Sequence, residues 1–162
     1  MEPIVIAFSP NNLGRVDFRA EIMTSDRKSF GRVRFKLDSG SDFTTIACDE
    51  LYALGYTHEF LKSCPFHHVS ASTASEVKEL PLQYLSDISI KFGERELQGC
   101  RIFFALGTRL RSLFGSDLLK YFNWEVSHDF NVLRLTKTLS APPLSPEERL
   151  LHIYTIENQP TP

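Results

Sequence analysis

Phe35-Lys36-Leu37-Asp38-Ser39-Gly40-Ser41, continuing through Asp42-Phe43-Thr44-Thr45-Ile46, is the stretch on which the fold turns. An alternating run ends in a carboxylate set among small residues. Alone, Asp-Ser-Gly is ordinary turn chemistry, because Asp and Ser bond nearby backbone and Gly tolerates unusual torsions. A solvated turn aspartate would read the same way. A second stretch, Ser112-Leu113-Phe114-Gly115-Ser116-Asp117-Leu118-Leu119, follows about seventy residues later. Its apolar pair, its Gly and its two Leu residues read as core passing behind the first turn and then entering a short helix.

With both stretches in view, the chain resembles the retropepsin-like aspartic proteases, the single-domain relatives of pepsin, over roughly Gly31 to Leu135. The resemblance implies an all-β fold: a retropepsin-like closed barrel with a flap hairpin and one or two short helices, active as a homodimer. It implies an aspartic endopeptidase with Asp38 as the catalytic carboxylate. Ser39, Gly40, Ser41, Leu113, Phe114 and Gly115 would support the active loop. Ser39 matches a position whose hydroxyl bonds across the dimer axis, and Gly40 lets backbone approach the carboxylates closely. The Ser41 hydroxyl is placed to donate to the outer oxygen of Asp38, which would lower that carboxylate's pKa and extend activity toward acid. Ala71, Ser72, Thr73 and Ala74 fall where the flap should cover substrate, and Asp42 where a side chain can meet substrate backbone. Specificity should favour apolar side chains beside the scissile bond.

Two departures from the family pattern stand out. Relatives often place Arg directly after the second-stretch Gly, paired with an Asp matching Asp42; this chain has Ser116. Family flaps usually carry glycines at the tip, and Phe66 to Leu80 contains none.

The chemistry explains the homodimer. Peptide hydrolysis by this route uses two carboxylates sharing a proton around one water, one acting as acid and the other as base. The chain carries one Asp-Ser-Gly and no second Asp-Ser-Gly or Asp-Thr-Gly. A monomer would hold half a site, so Asp38 must be supplied twice about a two-fold axis. The alternative is a retropepsin-like dimer that binds peptides or protein partners without cutting them.

The rest of the chain agrees with one domain over residues 1–139, followed by a linker and C-terminal extension over 140–162. Arg15 to Ile22 alternates, with Val16, Phe18, Ala20 and Ile22 on one strand face. Arg32 to Leu37 alternates again and should pair with it across a turn near 25–29. Thr44-Thr45-Ile46 reads as a short strand. Asp49 to Leu54 reads as a helix ended by Gly55, and Leu85 to Phe92 as a strand imperfectly phased at its start. Glu96 to Phe104 returns from a turn at 93–95. Ser116 to Phe122 is predicted helical with Ser116 as N-cap, and Trp124 to His128 and Val132 to Leu135 as a final hairpin. In the extension, Ser145-Pro146-Glu147-Glu148 is a good helix start.

A net charge of −2 over 162 residues offers no basic footprint for nucleic acid and no polybasic membrane stretch. No apolar run is long enough to span a bilayer, and residues 1–13 lack the pattern of a secretory signal. Cys48, Cys64 and Cys100 are odd in number and widely spaced, which reads as free thiols in a reducing, cytoplasmic setting. His67-His68 has no acid or Cys at ligand spacing, so no metal is expected. The proposed chemistry requires no cofactor. His128-Asp129 lacks a nucleophile elbow for a serine hydrolase, and nothing near Cys64 activates it. The extended cleft should take a peptide or protein substrate by β-type pairing.

Overall fold

The computed structural model describes residues 3–9, 14–24, 30–72, 77–93 and 95–137. Nine strands and three short helices form two sheets among these residues. The smaller sheet has the order β1-β9-β8, from Ile4–Ala7 (β1), Phe122–Ser127 (β8) and Val132–Lys137 (β9). The larger runs β4-β5-β2-β3-β7, with β6 also paired to β5. Its strands are Asp17–Met23 (β2), Phe30–Leu37 (β3), Phe66–Ser72 (β4), Val77–Phe92 (β5), Arg95–Phe104 (β6) and Leu113–Phe114 (β7).

The alternation in β2 and β3 does what period two requires. Phe18, Ala20 and Ile22 are buried on one side, as are Val33 and Phe35 opposite. The strands pair antiparallel, Asp17 with Lys36 through Met23 with Phe30. The phase slip in Leu85 to Phe92 is a bulge. Asp87 takes φ 57°, the register to β6 shifts between Leu85 and Ile88, and Leu85, Ile88, Ile90 and Phe92 all end buried.

Two expectations need correction. Thr44-Thr45-Ile46 is no strand; Thr45 alone makes single bridges, parallel to Phe103 and antiparallel to Leu113. Those bridges carry the barrel's closure. They connect β7 to β6, so a hydrogen-bonded circuit runs β2-β3-β7-Thr45-β6-β5 and returns to β2. The third helix, α3, spans Ser116–Leu119 with Gly115, not Ser116, at the N-cap. The Ser116 amide donates instead to the Ser41 carbonyl at 2.8 Å, so the loop satisfies this helix end.

Helix α1 covers Cys48–Ala53 and stops where Gly55 takes φ 99°. The sequence reading missed β1 and also α2, His58–Lys62, which Thr57 caps by accepting the Phe60 amide at 3.2 Å. The buried Gln83 amide nitrogen faces the carbonyls of Leu61, Lys62 and Cys64 at 3.0–3.2 Å, fastening α2 to the hairpin. The flap segment is indeed a hairpin, with Phe66 opposite Gln83 and Ser72 opposite Val77. The C-terminal extension over 140–162 lies outside the described residues.

The core centres on four phenylalanines. Phe18, Phe35, Phe92 and Phe114 stand with ring centroids 5.6–6.1 Å apart in five of their pairs. Burying each side chain contributes about 1.5–3 kcal/mol, and tilted or edge-on pairs add roughly 0.5–1.5 kcal/mol. Phe35 precedes Asp38 by three residues and Phe114 adjoins Gly115, so one aromatic cluster anchors both halves of the site. Trp124 departs from this pattern: it lies exposed on β8 rather than in the core.

Candidate active site

Parallel pairing of β3 with β7, Lys36 to Leu113 and Leu37 to Phe114, brings the two sequence stretches together. The Asp38 amide donates to the Phe114 carbonyl at 3.0 Å, and the Leu37 amide to Val16 at 2.8 Å. A turn follows, with the Ser41 amide on the Asp38 carbonyl at 3.1 Å. Inside it the Gly40 amide donates to Oδ1 of Asp38 at 3.1 Å. Its other carboxylate oxygen has no hydrogen-bond partner among the described residues. Asp38 is part-exposed, and Ser39 and Gly40 are exposed.

The Ser41 hydroxyl does not reach Asp38. It donates to the Phe43 carbonyl at 2.8 Å, bracing the loop rather than tuning the carboxylate. Gly115 is buried, and here the missing Cβ matters. A methyl at this position would lie 2.4 Å from the Phe43 carbonyl oxygen and 2.8 Å from that of Ser41. Asp42 is exposed and makes no side-chain hydrogen bond or ion pair among the described residues. Of the proposed flap residues, Ala71 and Ser72 pair with Lys78 and Val77, while Thr73 and Ala74 lie outside the described residues.

Two residues that lock the site escaped the sequence reading. Thr44 is fully buried, and its hydroxyl donates to Oδ1 of Asp117 at 2.6 Å. Its amide donates to Oδ2 at 2.9 Å, and its hydroxyl oxygen accepts the Gly115 amide at 3.1 Å. The Leu118 amide adds a further bond to Oδ1 at 2.9 Å. Asp117 thus ties α3 to the far end of the Asp38 loop. The signal was an acidic residue inside the largely apolar run Leu113 to Leu119, where a part-buried carboxylate needs hydrogen-bond partners.

Burial raises the Asp117 pKa above its ordinary 3.8, opposed by the bonds from Thr44 and Leu118 and by Lys120. A raised folded pKa means the folded chain holds this proton more tightly than the unfolded chain does. The group's stabilising contribution is therefore complete below about 3.8 and is lost as pH rises through the raised value. Asp117→Asn cannot titrate. Wild type should lose melting temperature relative to this variant as pH climbs from acid toward neutral. A difference between the two that stayed constant across that range would show that Asp117 does not titrate as described.

An aromatic contact joins the hairpin to the loop. The His67 ring packs on Phe43 and Phe103 at 5.6 and 5.9 Å, and Phe43 meets Phe103 edge-on at 4.7 Å. Phe103 belongs to a small second cluster with Leu82 and Ala105, while Phe104 and Phe114 belong to the main core. The free thiols Cys48, Cys64 and Cys100 are all pushed up in pKa, chiefly by burial. Among the described residues no three His, Cys, Asp or Glu side chains converge as metal ligands, and no helix is long and apolar enough to cross a membrane. A large cleft opens between β3, α1 and the 106–112 loop, and Asp38 does not line it.

No protein-family model matches the chain, and no curated protein matches it. Among solved structures it is similar to a retropepsin-like aspartic protease from Rickettsia conorii, with a TM-score of 0.53 and 20% identity. The match covers 82% of this chain and 89% of that one. At this identity the likeness establishes the fold.

Proposed function

We propose that the chain is an aspartic endopeptidase that works as a homodimer, each copy supplying one Asp38. The observation that carries this reading is the Asp38 turn: one carboxylate oxygen held by the Gly40 amide, the other without a hydrogen-bond partner among the described residues, on backbone pinned to Phe114. Two such loops about a two-fold axis would set two carboxylates around one water. The pair would share a proton and titrate as a unit. One carboxylate takes a proton from the water as it attacks the peptide carbonyl, and the other protonates the carbonyl oxygen. Ser39 and Gly40 sit where they would meet the second copy, and Asp42 is free to contact substrate backbone. The β4–β5 hairpin is the proposed lid over an extended peptide or protein substrate, with Ala71, Ser72, Thr73 and Ala74 as its proposed substrate contacts. This chemistry uses no metal or organic cofactor. The three free thiols fit a reducing, cytoplasmic setting.

A second reading is a dimer that binds peptides without cutting them, favoured by the glycine-free flap segment. The test is digestion of a denatured protein mixture from acid to neutral pH, with new termini identified and association state measured in the same samples. Activity per chain should fall on dilution as dimers dissociate, and an acetyl-pepstatin-type inhibitor should raise the melting temperature. A well-folded dimer that cuts nothing would overturn the protease and leave the binding module.

A further inference from the structure

Arg34, Lys36 and Asp38 fall at alternate positions, so their side chains share one face of β3 and its extension. On that side lies the cleft between β3, α1 and the 106–112 loop, with a volume of about 1250 Å³. Small-molecule pockets run to roughly 1,000 Å³ and enclose their ligands; this one is larger and open. Five of its lining residues are Lys or Arg (Arg15, Arg34, Lys36, Arg109 and Arg111), against Asp17, Asp49 and Glu50. The cleft is locally positive in a chain of net charge −2. Two of the carboxylates are already engaged. Asp17 faces Arg15 at 3.7 Å and Arg34 at 3.6 Å, and Glu50 accepts the Ser112 hydroxyl. The side chains of Lys36, Arg109 and Arg111 make no ion pair or hydrogen bond among the described residues, and both arginines are exposed.

We propose that this cleft recognises an acidic stretch of an extended polypeptide. Lys36 stands two residues from Asp38, about 7 Å along a strand. If the protease reading holds, on which this placement rests, a peptide cut at Asp38 brings side chains a few residues from its scissile bond into the cleft. Glutamates or aspartates there would meet cations that have no ion-pair or hydrogen-bond partner among the described residues, adding affinity and steering the encounter. A nucleic-acid backbone fits less well, because the lining also carries carboxylates that repel continuous phosphates.

The test is fluorescence anisotropy on the full chain carrying Asp38→Asn, with a labelled glutamate-rich peptide and its glutamine counterpart. The glutamate peptide should bind about tenfold more tightly, as several surface ion pairs would give, and the advantage should shrink with added salt. The double variant Arg109→Glu, Arg111→Glu should lose that preference at unchanged melting temperature. Equal binding of the two peptides, a preference that survives charge reversal, or tighter binding of polyuridine would each overturn the proposal. Glutamate-selective binding by a wild-type chain that cuts nothing would uphold the cleft and sink the protease. Cleavage that ignores both acidic residues and charge reversal would do the opposite.

Discussion

Asp38→Asn is expected to abolish peptide hydrolysis, lowering kcat by about 10⁴-fold, equivalent to roughly 5.5 kcal/mol of transition-state stabilisation, with the fold intact. An amide of the same shape keeps one oxygen to accept the Gly40 amide, so the turn survives. It cannot take a proton from water, and in a homodimer the substitution removes both carboxylates at once. Dimerisation should not weaken. Two carboxylates crowded at an axis repel unless they share a proton, and neutral amides remove that repulsion. The measurement is cleavage of one peptide by both proteins, with sedimentation and thermal melting of the same samples. Undiminished cleavage by the folded variant would exclude Asp38 from the chemistry. Loss of cleavage together with loss of the dimer would show that Asp38 acts on assembly instead.

Gly115→Ala is expected to destabilise the chain by about 3 kcal/mol or more, or roughly 10 °C in Tm. The reason is space, since Gly115 has an ordinary φ of −99°. The added methyl would meet the Phe43 carbonyl oxygen and carbon at 2.4 and 2.6 Å, atoms that cannot swing aside as a side-chain tip can. The loop from Ser41 to Thr44 must move, and Asp38 with it. Gly107→Ala is the control. That residue has φ 77° and open space around it, so it should lose only about 1 kcal/mol from backbone strain. Equal melting temperatures for the two variants would refute the close packing at Gly115.

Much of the fold was legible because it rests on short-range pattern. Alternation placed β2 and β3, and Leu37-Asp38-Ser39-Gly40 with Leu113-Phe114-Gly115 marked two segments that β3–β7 pairing joins. What the sequence hid was of two kinds. Short elements such as α2 span too few residues for a period to develop, although Thr57, Glu59 and Lys62 formed a readable cap-and-charge signature. Long-range polar contacts leave no periodic trace at all. Thr44 looked like strand filler, and its role appears only when Asp117 is brought beside it. The expectation for the Ser41 hydroxyl failed for a related reason: which acceptor it meets depends on the loop's path, and that path brings it to the Phe43 carbonyl.

The Thr44–Asp117 tie spans 73 residues of chain. Closing a loop of that length costs about 4 kcal/mol in chain entropy before any contact within the site repays it. Contacts this far apart in sequence slow folding, because closure must come before they reward it. On a ribosome the turn would emerge early but stay unfixed, because its brace is synthesised only once residues past Asp117 exist. A nascent chain would therefore carry Asp38 as an unarmed side chain, and the order of synthesis would delay any hydrolase until both halves of its frame are present.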